Sequence, residues 1–143
     1  MNEEYVIVSA VRTPIGRYGG SLKTVSSGHL ASIVIKEAIE RAGISPEQVD
    51  EVIMGEVRQT TESSNVARVA ALRAGVPETS PAFTVNRLCA SGMQAVGSAI
   101  QQIAFGHADI VVAGGTENMS RAPLYIRSSR FGGDNTQLVD SNT

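Results

Sequence analysis

Several side chains are scarce in this chain, and each scarcity argues against a class of function. The 143 residues include one cysteine, two histidines and no tryptophan. A single cysteine forms no disulfide within the chain, and with only two histidines beside it no metal-ligand cluster has a plausible spacing. Apolar runs such as residues 110–113 are far shorter than the roughly 20 residues that a membrane-spanning helix needs. The sequence therefore predicts neither a metal centre nor a membrane span.

An excess of charge of one sign is also lacking. The net charge is −2 at neutral pH, and the lysines and arginines are scattered along the chain. Partners such as nucleic acid and anionic membranes favour clustered basic residues, so neither is predicted. Residues 1–4 are acidic at two positions and run straight into a strand-like segment, unlike a secretory or mitochondrial leader. We therefore expect a cytoplasmic protein.

Strand-like and helix-like segments alternate along most of the chain. Apolar and β-branched runs predict strands at residues 5–11, 52–57, 82–86 and 109–115. Helical spacing and capping residues predict helices at residues 30–42, 65–75 and 89–106, with a short helical turn at residues 45–48. This alternation is typical of an α/β fold in which a mostly parallel sheet carries helices on both faces. Residues 132–143 lack periodicity and are predicted to form a loop.

Each predicted helix has an apolar face that we expect to pack on the sheet. In the first helix the face consists of Leu30, Ile33, Val34, Ala38, Ile39 and Ala42. In the second it consists of Val66, Val69, Ala70 and Leu72, and in the third of Met93, Val96, Gly97, Ile100, Ile103 and Ala104.

The single cysteine, Cys89, lies where an extended stretch turns into the third helix. Free backbone N–H groups and the positive end of a helix dipole stabilise a thiolate at such a position, and the same N–H groups can hold an oxyanion. The small neighbours Ala90, Ser91 and Gly92 leave the sulfur open to a bulky electrophile. The alternative is a buried thiol that packs as a small apolar side chain, and the local pattern does not separate the two.

Four segments, in order along the chain, resemble the thiolase family. Residues 86–95 (NRLCASGMQA) resemble the signature around the nucleophilic cysteine of that family, and residues 113–120 (AGGTENMS) resemble the segment after the next strand. Residues 8–16 (VSAVRTPIG) are similar to the opening strand and turn, and residues 65–68 (NVAR) to the start of the second helix. The resemblance covers the chain to about Arg127.

The resemblance implies acyl transfer between coenzyme A (CoA) thioesters, as in acetyl-CoA acetyltransferases, with the longer-chain 3-ketoacyl-CoA thiolases as the alternative. Cys89 would attack an acyl-CoA thioester, and the acyl-cysteine would then react with the carbanion of acetyl-CoA. The backbone N–H of Cys89 would form part of an oxyanion hole. Acetyl-CoA and acetoacetyl-CoA are the implied substrates, no cofactor is bound permanently, and a homo-oligomer, dimer or tetramer, is implied.

The resemblance also implies a domain plan. Residues 1–120 would form the N-terminal α/β domain without its last strand, and residues 121–143 would begin an insertion domain. Three motifs of the family are not in this sequence: a Gly-His-Pro motif with the activating histidine, an Asn-Glu-Ala-Phe-like motif, and a Cys-x-Gly motif with a second cysteine. We therefore expect no complete turnover by this chain alone, together with an exposed surface that the second half would cover.

Other chemistry-bearing residues are assigned ordinary structural roles. His29 is predicted at a helix start or on the surface, and His107 near a helix C-terminus. The remaining assignments are turns or close packing for Gly16, Gly19, Gly20, Gly114 and Gly115, core or pocket lining for Met93 and Met119, and a solvated face for Arg121, Arg127 and Arg130. A contact between these arginines and a CoA phosphate is the less favoured interpretation.

Three competing functions remain open from the sequence. A ketosynthase acting on carrier-bound acyl chains is the nearest, although the sequence around Cys89 argues against it. A non-catalytic binding or assembly module with the same fold is the second. A dinucleotide-binding α/β domain is the third, and it lacks both the glycine fingerprint and a convincing acidic partner.

Overall fold

A computed structural model describes residues 4–127, 129–132 and 137–142. Its helices are α1 (Ser27–Ala42), α2 (Val66–Arg73) and α3 (Ser91–Ala104). Its strands are β1 (Glu51–Gly55), β2 (Ala82–Val85), β3 (Val111–Gly115), β4 (Leu124–Ile126) and β5 (Leu138–Asp140). Short 3₁₀ turns occur at Pro46–Gln48, as predicted, and at Met119–Arg121. No helix within the described ranges is long and apolar enough to cross a membrane.

A parallel sheet in the order β2-β1-β3 lies between two helical layers. Ile53 in the central strand β1 is aligned with Phe83 on one side and with Ala113 on the other. Val52 and Met54 point towards the cluster formed with α1 and α2, whereas Ile53 packs against Ala95 and Ala99 of α3. The predicted α/β fold, with a parallel sheet and helices on both faces, is confirmed.

The helix ends follow the capping residues in the sequence. The Ser26 side chain accepts the His29 N–H at 3.2 Å, and α1 therefore begins three residues earlier than the apolar pattern indicated. Gly43 ends α1 with φ 70°. Asn65 caps α2 by accepting the Arg68 N–H at 3.2 Å. The predicted stop at Gly43 and cap at Asn65 are both confirmed.

The predicted apolar faces are partly wrong. In α1 the buried side is formed by Ser27, Gly28, Ala31, Ser32, Ile35 and Ile39, while Ile33 is exposed. In α2 Leu72 is exposed, and Ala67 and Ala71 are buried. In α3 the buried residues are Ser91, Ala95 and Ala99, and Met93, Val96 and Ile100 lie outside. The start of α3 lies so close to the sheet that this helix contacts it through small side chains, and its larger apolar residues face away.

The predicted strand at residues 5–11 is not formed. Val6, Ile7 and Val8 are each more than 70% exposed, with relative accessibilities of 74%, 80% and 72%. A strand requires a neighbouring strand for its backbone hydrogen bonds, and none is paired with this segment in the described part of the chain. The β-branched composition alone therefore does not create a strand here.

The predicted loop at residues 132–143 is also wrong in part. Strand β5 pairs antiparallel with β4, and Leu124 is aligned with Asp140. The Ser141 N–H donates to the Pro123 carbonyl at 3.3 Å, which continues the connection beyond the ladder. Residues 133–136 and 143 lie outside the described residues. A three-residue strand is too short for alternation in the sequence to reveal it.

Candidate active site

Cys89 lies in the turn that joins β2 to α3, two residues before the helix begins. Its thiol is exposed, which contradicts the alternative of a buried structural cysteine. The preceding residue, Leu88, has φ 52°, and it is the one described non-glycine residue with a positive φ. The predicted position of the thiol at the start of a helix is confirmed, and of the two alternatives that the local pattern left open the structure shows the exposed one.

Ser91 closes this turn from the helix side. Its hydroxyl accepts the Arg87 N–H at 2.8 Å and donates to the Leu88 carbonyl at 2.6 Å. Its own N–H donates to the same carbonyl at 3.0 Å. Because Ser91 is only 4% exposed, these bonds are shielded from water and hold the Cys89 turn firmly against α3.

Asn86 connects the turn to the loop that follows β1. Its side-chain amide donates to the Val57 carbonyl at 3.1 Å, and its Oδ1 accepts the Leu88 N–H at 3.0 Å. On the other side of the same peptide segment, the Glu117 carboxylate accepts the Val57 N–H at 2.8 Å. The loops that follow β1, β2 and β3 at the carboxyl edge of the sheet are thus linked to one another next to Cys89.

Two glycines allow α3 to begin directly on the sheet. A Cβ on Gly55 would lie 2.4 Å from the Ser91 carbonyl carbon, and a Cβ on Gly115 would lie 3.2 Å from the Gly92 Cα. Distances below about 3 Å are not tolerated by packed atoms. This confirms close packing as the role of Gly115, whereas the requirement at Gly55 was not predicted from the sequence.

The backbone N–H of Cys89 donates to no acceptor among the described residues. An exposed thiol next to an available N–H can accept an acyl group while the N–H stabilises the negative charge that develops on the acyl oxygen. The local geometry therefore suits nucleophilic acyl transfer.

Glu56 is a buried carboxylate that the sequence analysis missed. It is 1% exposed, it accepts a hydrogen bond from the Ser27 hydroxyl at 2.5 Å, and its Oε2 is buried without a partner among the described residues. Burial raises the pKa of Glu56 to about 7, the Ser27 hydrogen bond opposes this rise, and the charge of Glu117 adds to it. A signal was present, because Glu56 continues the inward alternation of Val52 and Met54.

The remaining candidates lie away from Cys89 or in structural contacts. His29 is exposed at the start of α1, and His107 is exposed after α3 with its Nδ1 3.2 Å from the Gln102 Oε1. Met93 is 80% exposed, so its predicted core role is wrong. Met119 lines a cavity of about 410 Å³ together with Pro14 and Val34, as predicted for pocket lining.

The three arginines near the chain end do not form one cluster. Arg121 pairs with Glu62 and donates to the Thr24 carbonyl at 3.2 Å, whereas Arg127 and Arg130 are exposed. Among the residues with described positions, no three His, Cys, Asp or Glu side chains could hold a metal ion together.

Comparisons with known proteins agree on one family. The thiolase N-terminal domain family matches residues 5–140. An acetyl-CoA acetyltransferase of Syntrophomonas wolfei is 52% identical over 132 residues, which are 92% of this chain and 33% of the relative. Another, from Cupriavidus necator, is 51% identical over 141 residues, 96% of this chain and 36% of the relative. The chain spans about a third of the length of these curated relatives.

Solved structures give the same result. The crystal structure of the Bacillus anthracis acetyl-CoA acetyltransferase matches with a TM-score of 0.92 and 46% identity, over 96% of this chain and 35% of that chain. The Acat5 thiolase from Ascaris suum in complex with coenzyme A matches with a TM-score of 0.90 and 36% identity, over 96% of this chain and 36% of that chain.

Proposed function

Because this chain belongs to the thiolase family, whose N-terminal domain it contains, we propose that it supplies the acyl-accepting part of an acetyl-CoA acetyltransferase. The resemblance inferred from the four sequence segments is confirmed. Relatives named acetyl-CoA acetyltransferase, at 52% and 51% identity, support the two-carbon acyl group over the longer chains. They also support an enzyme over a non-catalytic module of the same fold.

The observation that carries the proposal is the exposed Cys89 thiol in a braced turn before α3. In the first step the Cys89 thiolate attacks the carbonyl carbon of acetyl-CoA. The bond from that carbon to the CoA sulfur breaks, and CoA leaves as a thiolate that takes up a proton. The available N–H of Cys89 donates to the oxyanion during this step.

In the second step the acyl-cysteine reacts with another acetyl-CoA. A base removes a proton from the methyl group of that acetyl-CoA, and the resulting carbanion attacks the acetyl-cysteine carbonyl. Cys89 leaves as a thiolate, and the product is acetoacetyl-CoA; thiolysis is the reverse. The family's histidine, asparagine and second-cysteine motifs are not in this sequence, so the base must come from outside these residues.

The remaining parts of the proposal concern the setting of the enzyme. CoA thioesters serve as substrates, no cofactor is bound permanently, and a homo-oligomer in the cytoplasm, dimer or tetramer, takes part in fatty acid metabolism. The complex of the Ascaris suum thiolase with coenzyme A supports the substrate class. We place residues 1–120 in the α/β domain and residues 121–143 at the start of the insertion domain.

A chimera tests the activity. Residues 1–143 are joined to the C-terminal part of the Bacillus anthracis enzyme, and thiolysis of acetoacetyl-CoA is measured beside a Cys89→Ala control. We expect turnover by the chimera and none by the control. A folded chimera that is inactive, or a Cys89→Ala form that remains active, would contradict the proposal. Faster cleavage of 3-ketooctanoyl-CoA than of acetoacetyl-CoA would favour the longer-chain alternative.

Intact-protein mass spectrometry tests the first step in the 143-residue chain itself. The chain and its Cys89→Ala variant are incubated with acetyl-CoA and, separately, with acetoacetyl-CoA. One acetyl group on the parent and none on the variant would show that these residues alone activate the thiol. No adduct, together with full alkylation of Cys89 by iodoacetamide, would show that the nucleophile is present but that its activation needs the histidine and the CoA-binding parts that the family has beyond these residues.

A further inference from the structure

A hydrogen-bond relay runs from the end of β3 to the residue before Cys89. The Glu117 carboxylate accepts the Val57 N–H at 2.8 Å, and the carbonyl of the same residue, Val57, accepts the Asn86 amide at 3.1 Å. The other end of that amide, Oδ1, accepts the Leu88 N–H at 3.0 Å. The Val57 carbonyl shares its peptide group with the Arg58 N–H, which also donates to the Glu117 carboxylate, at 3.3 Å. A charged acceptor on one side of a peptide group strengthens the hydrogen bond on its other side.

Leu88 needs this support because of its backbone conformation. Its φ of 52° lies in the left-handed region, which is unfavourable for a residue with a Cβ. Asn86 holds the N–H of Leu88, and Ser91 holds its carbonyl at 2.6 Å. Since Cys89 follows directly, the conformation of Leu88 sets where the Cys89 N–H and sulfur lie relative to α3.

We propose that Asn86 is a positioning residue for the Cys89 thiol: its side chain fixes Leu88 in the left-handed conformation by tying the turn to the Val57 peptide, and Glu117 acts through it. The inference rests on the proposed function of Cys89 as nucleophile. A local turn cap would need only the Oδ1 acceptor, whereas the Asn86 amide also donates out of the turn to a loop 29 residues away in sequence.

The single cysteine gives a direct test in the chain as it exists. Alkylation by iodoacetamide reports on Cys89 alone, and no CoA thioester is needed. We expect Asn86→Ala to lower the alkylation rate about fivefold, because the thiol is no longer held at the start of α3, while the urea midpoint of unfolding is unchanged. Gln101→Ala, an exposed amide on the same helix, should leave both quantities unchanged.

Three further variants separate positioning from general support of the fold. Leu88→Gly adopts positive φ without strain, so in the Asn86→Ala background it should restore at least half of the lost rate. Asn86→Asp keeps an acceptor for the Leu88 N–H but donates nothing to Val57, so its rate should fall between those of the parent and Asn86→Ala. Glu117→Gln should lower the rate about twofold.

The alkylation experiments can contradict the positioning role of Asn86 without contradicting the proposed function. An Asn86→Ala rate within twofold of the parent, or a loss that glycine at position 88 does not relieve, would overturn the positioning role. A loss of rate that follows a lowered unfolding midpoint would overturn it too, since the turn would then act only on stability. An active Cys89→Ala chimera would instead contradict the role of Cys89 as nucleophile. The alkylation rates would still decide whether Asn86 positions the thiol.

Discussion

Gly55 in the central strand and Ser91 at the start of α3 are in backbone contact: a Cβ on Gly55 would lie 2.4 Å from the Ser91 carbonyl carbon and 2.7 Å from its oxygen. The helix that follows Cys89 therefore begins directly on top of the sheet. Because both atoms belong to the backbone, no side-chain rotation could relieve the overlap. The position of the Cys89 thiol therefore depends on residue 55 having no side chain.

Gly55→Ala should therefore destabilise the protein. We expect the free energy of unfolding to fall by about 3 kcal/mol, at the upper end for overpacking, because Ser91 and the start of α3 must shift. Urea unfolding followed by circular dichroism measures the loss. Alkylation of Cys89 by iodoacetamide should change in the same variant, since the displaced residues carry the turn.

Gly97→Ala is the matched control, because Gly97 lies within α3 and a Cβ added there would meet open space. It should raise the free energy of unfolding by about 0.5–1 kcal/mol, since alanine favours a helix over glycine. Equal destabilisation by both substitutions would mean that α3 does not rest on Gly55 as described.

The burial of Glu56 predicts a pH-dependent stability. Its pKa rises from 4.5 to about 7 in the folded protein, so the folded state binds more protons between these values. The contribution of Glu56 is therefore most favourable below about pH 4.5 and is lost as the pH rises through 7. Glutamine at position 56 does not titrate, so the variant does not lose this stability. The unfolding free energy of Glu56→Gln minus that of the parent should therefore increase by about 3 kcal/mol between pH 4.5 and pH 8.

Urea unfolding of both proteins at several pH values measures this difference. Titrating groups that do not interact with Glu56 cancel in the comparison, whereas Glu117, whose charge helps to raise the pKa of Glu56, contributes to the measured difference. Glu78→Gln, which removes a carboxyl group at an exposed position, is the matched control. A Glu56→Gln difference that is no steeper with pH than that of the control would show that Glu56 is ionised at little cost.

The three helices, the strands of the parallel sheet and the thiol turn were predictable because they depend on local signals. The caps at Asn65 and Gly43 and the strands around Ile53 are set by neighbouring residues. The motif around Cys89 carries its own turn, with small residues in the first positions of α3. These features need no information about distant parts of the chain.

The errors arose where distant contacts decide. Gly55 and Gly115 let Ser91 and Gly92, at the start of α3, lie against the sheet. Ala95 and Ala99 of the same helix then pack against Ile53. Apolar composition pointed instead to Met93, which is 80% exposed. A charged residue directly after a strand, such as Glu56, is interpreted as a surface position until the helix that buries it has been placed.

Asn65 links α2 to β2 as well as capping the helix. It accepts the Arg68 N–H at 3.2 Å and the Thr84 hydroxyl at 2.8 Å, and it donates to the Ala82 carbonyl at 3.0 Å. Asn65→Ala should lower the free energy of unfolding by about 2–3 kcal/mol, from the lost cap and the unsatisfied partners. In urea unfolding Asn65→Asp should lose less, because it keeps the acceptor; an equal loss would rule out the cap.

The outer side of α3 predicts association of the 143-residue chain. Val96 and Ile100 are 38% and 42% exposed, next to the more exposed Met93, and contiguous apolar surface of this kind promotes contact between molecules. The double substitution Val96→Gln, Ile100→Gln should shift the chain towards monomer in sedimentation velocity. Its free energy of unfolding should change by less than about 1 kcal/mol, since glutamine is a good helix former.

Leu72→Gln separates this surface from general hydrophobicity. Leu72 is also 42% exposed but lies on α2, on the other face of the sheet. If the outer side of α3 drives association, this variant should sediment like the parent at every concentration. A shift to monomer by Leu72→Gln equal to that of the double variant would place the contact elsewhere.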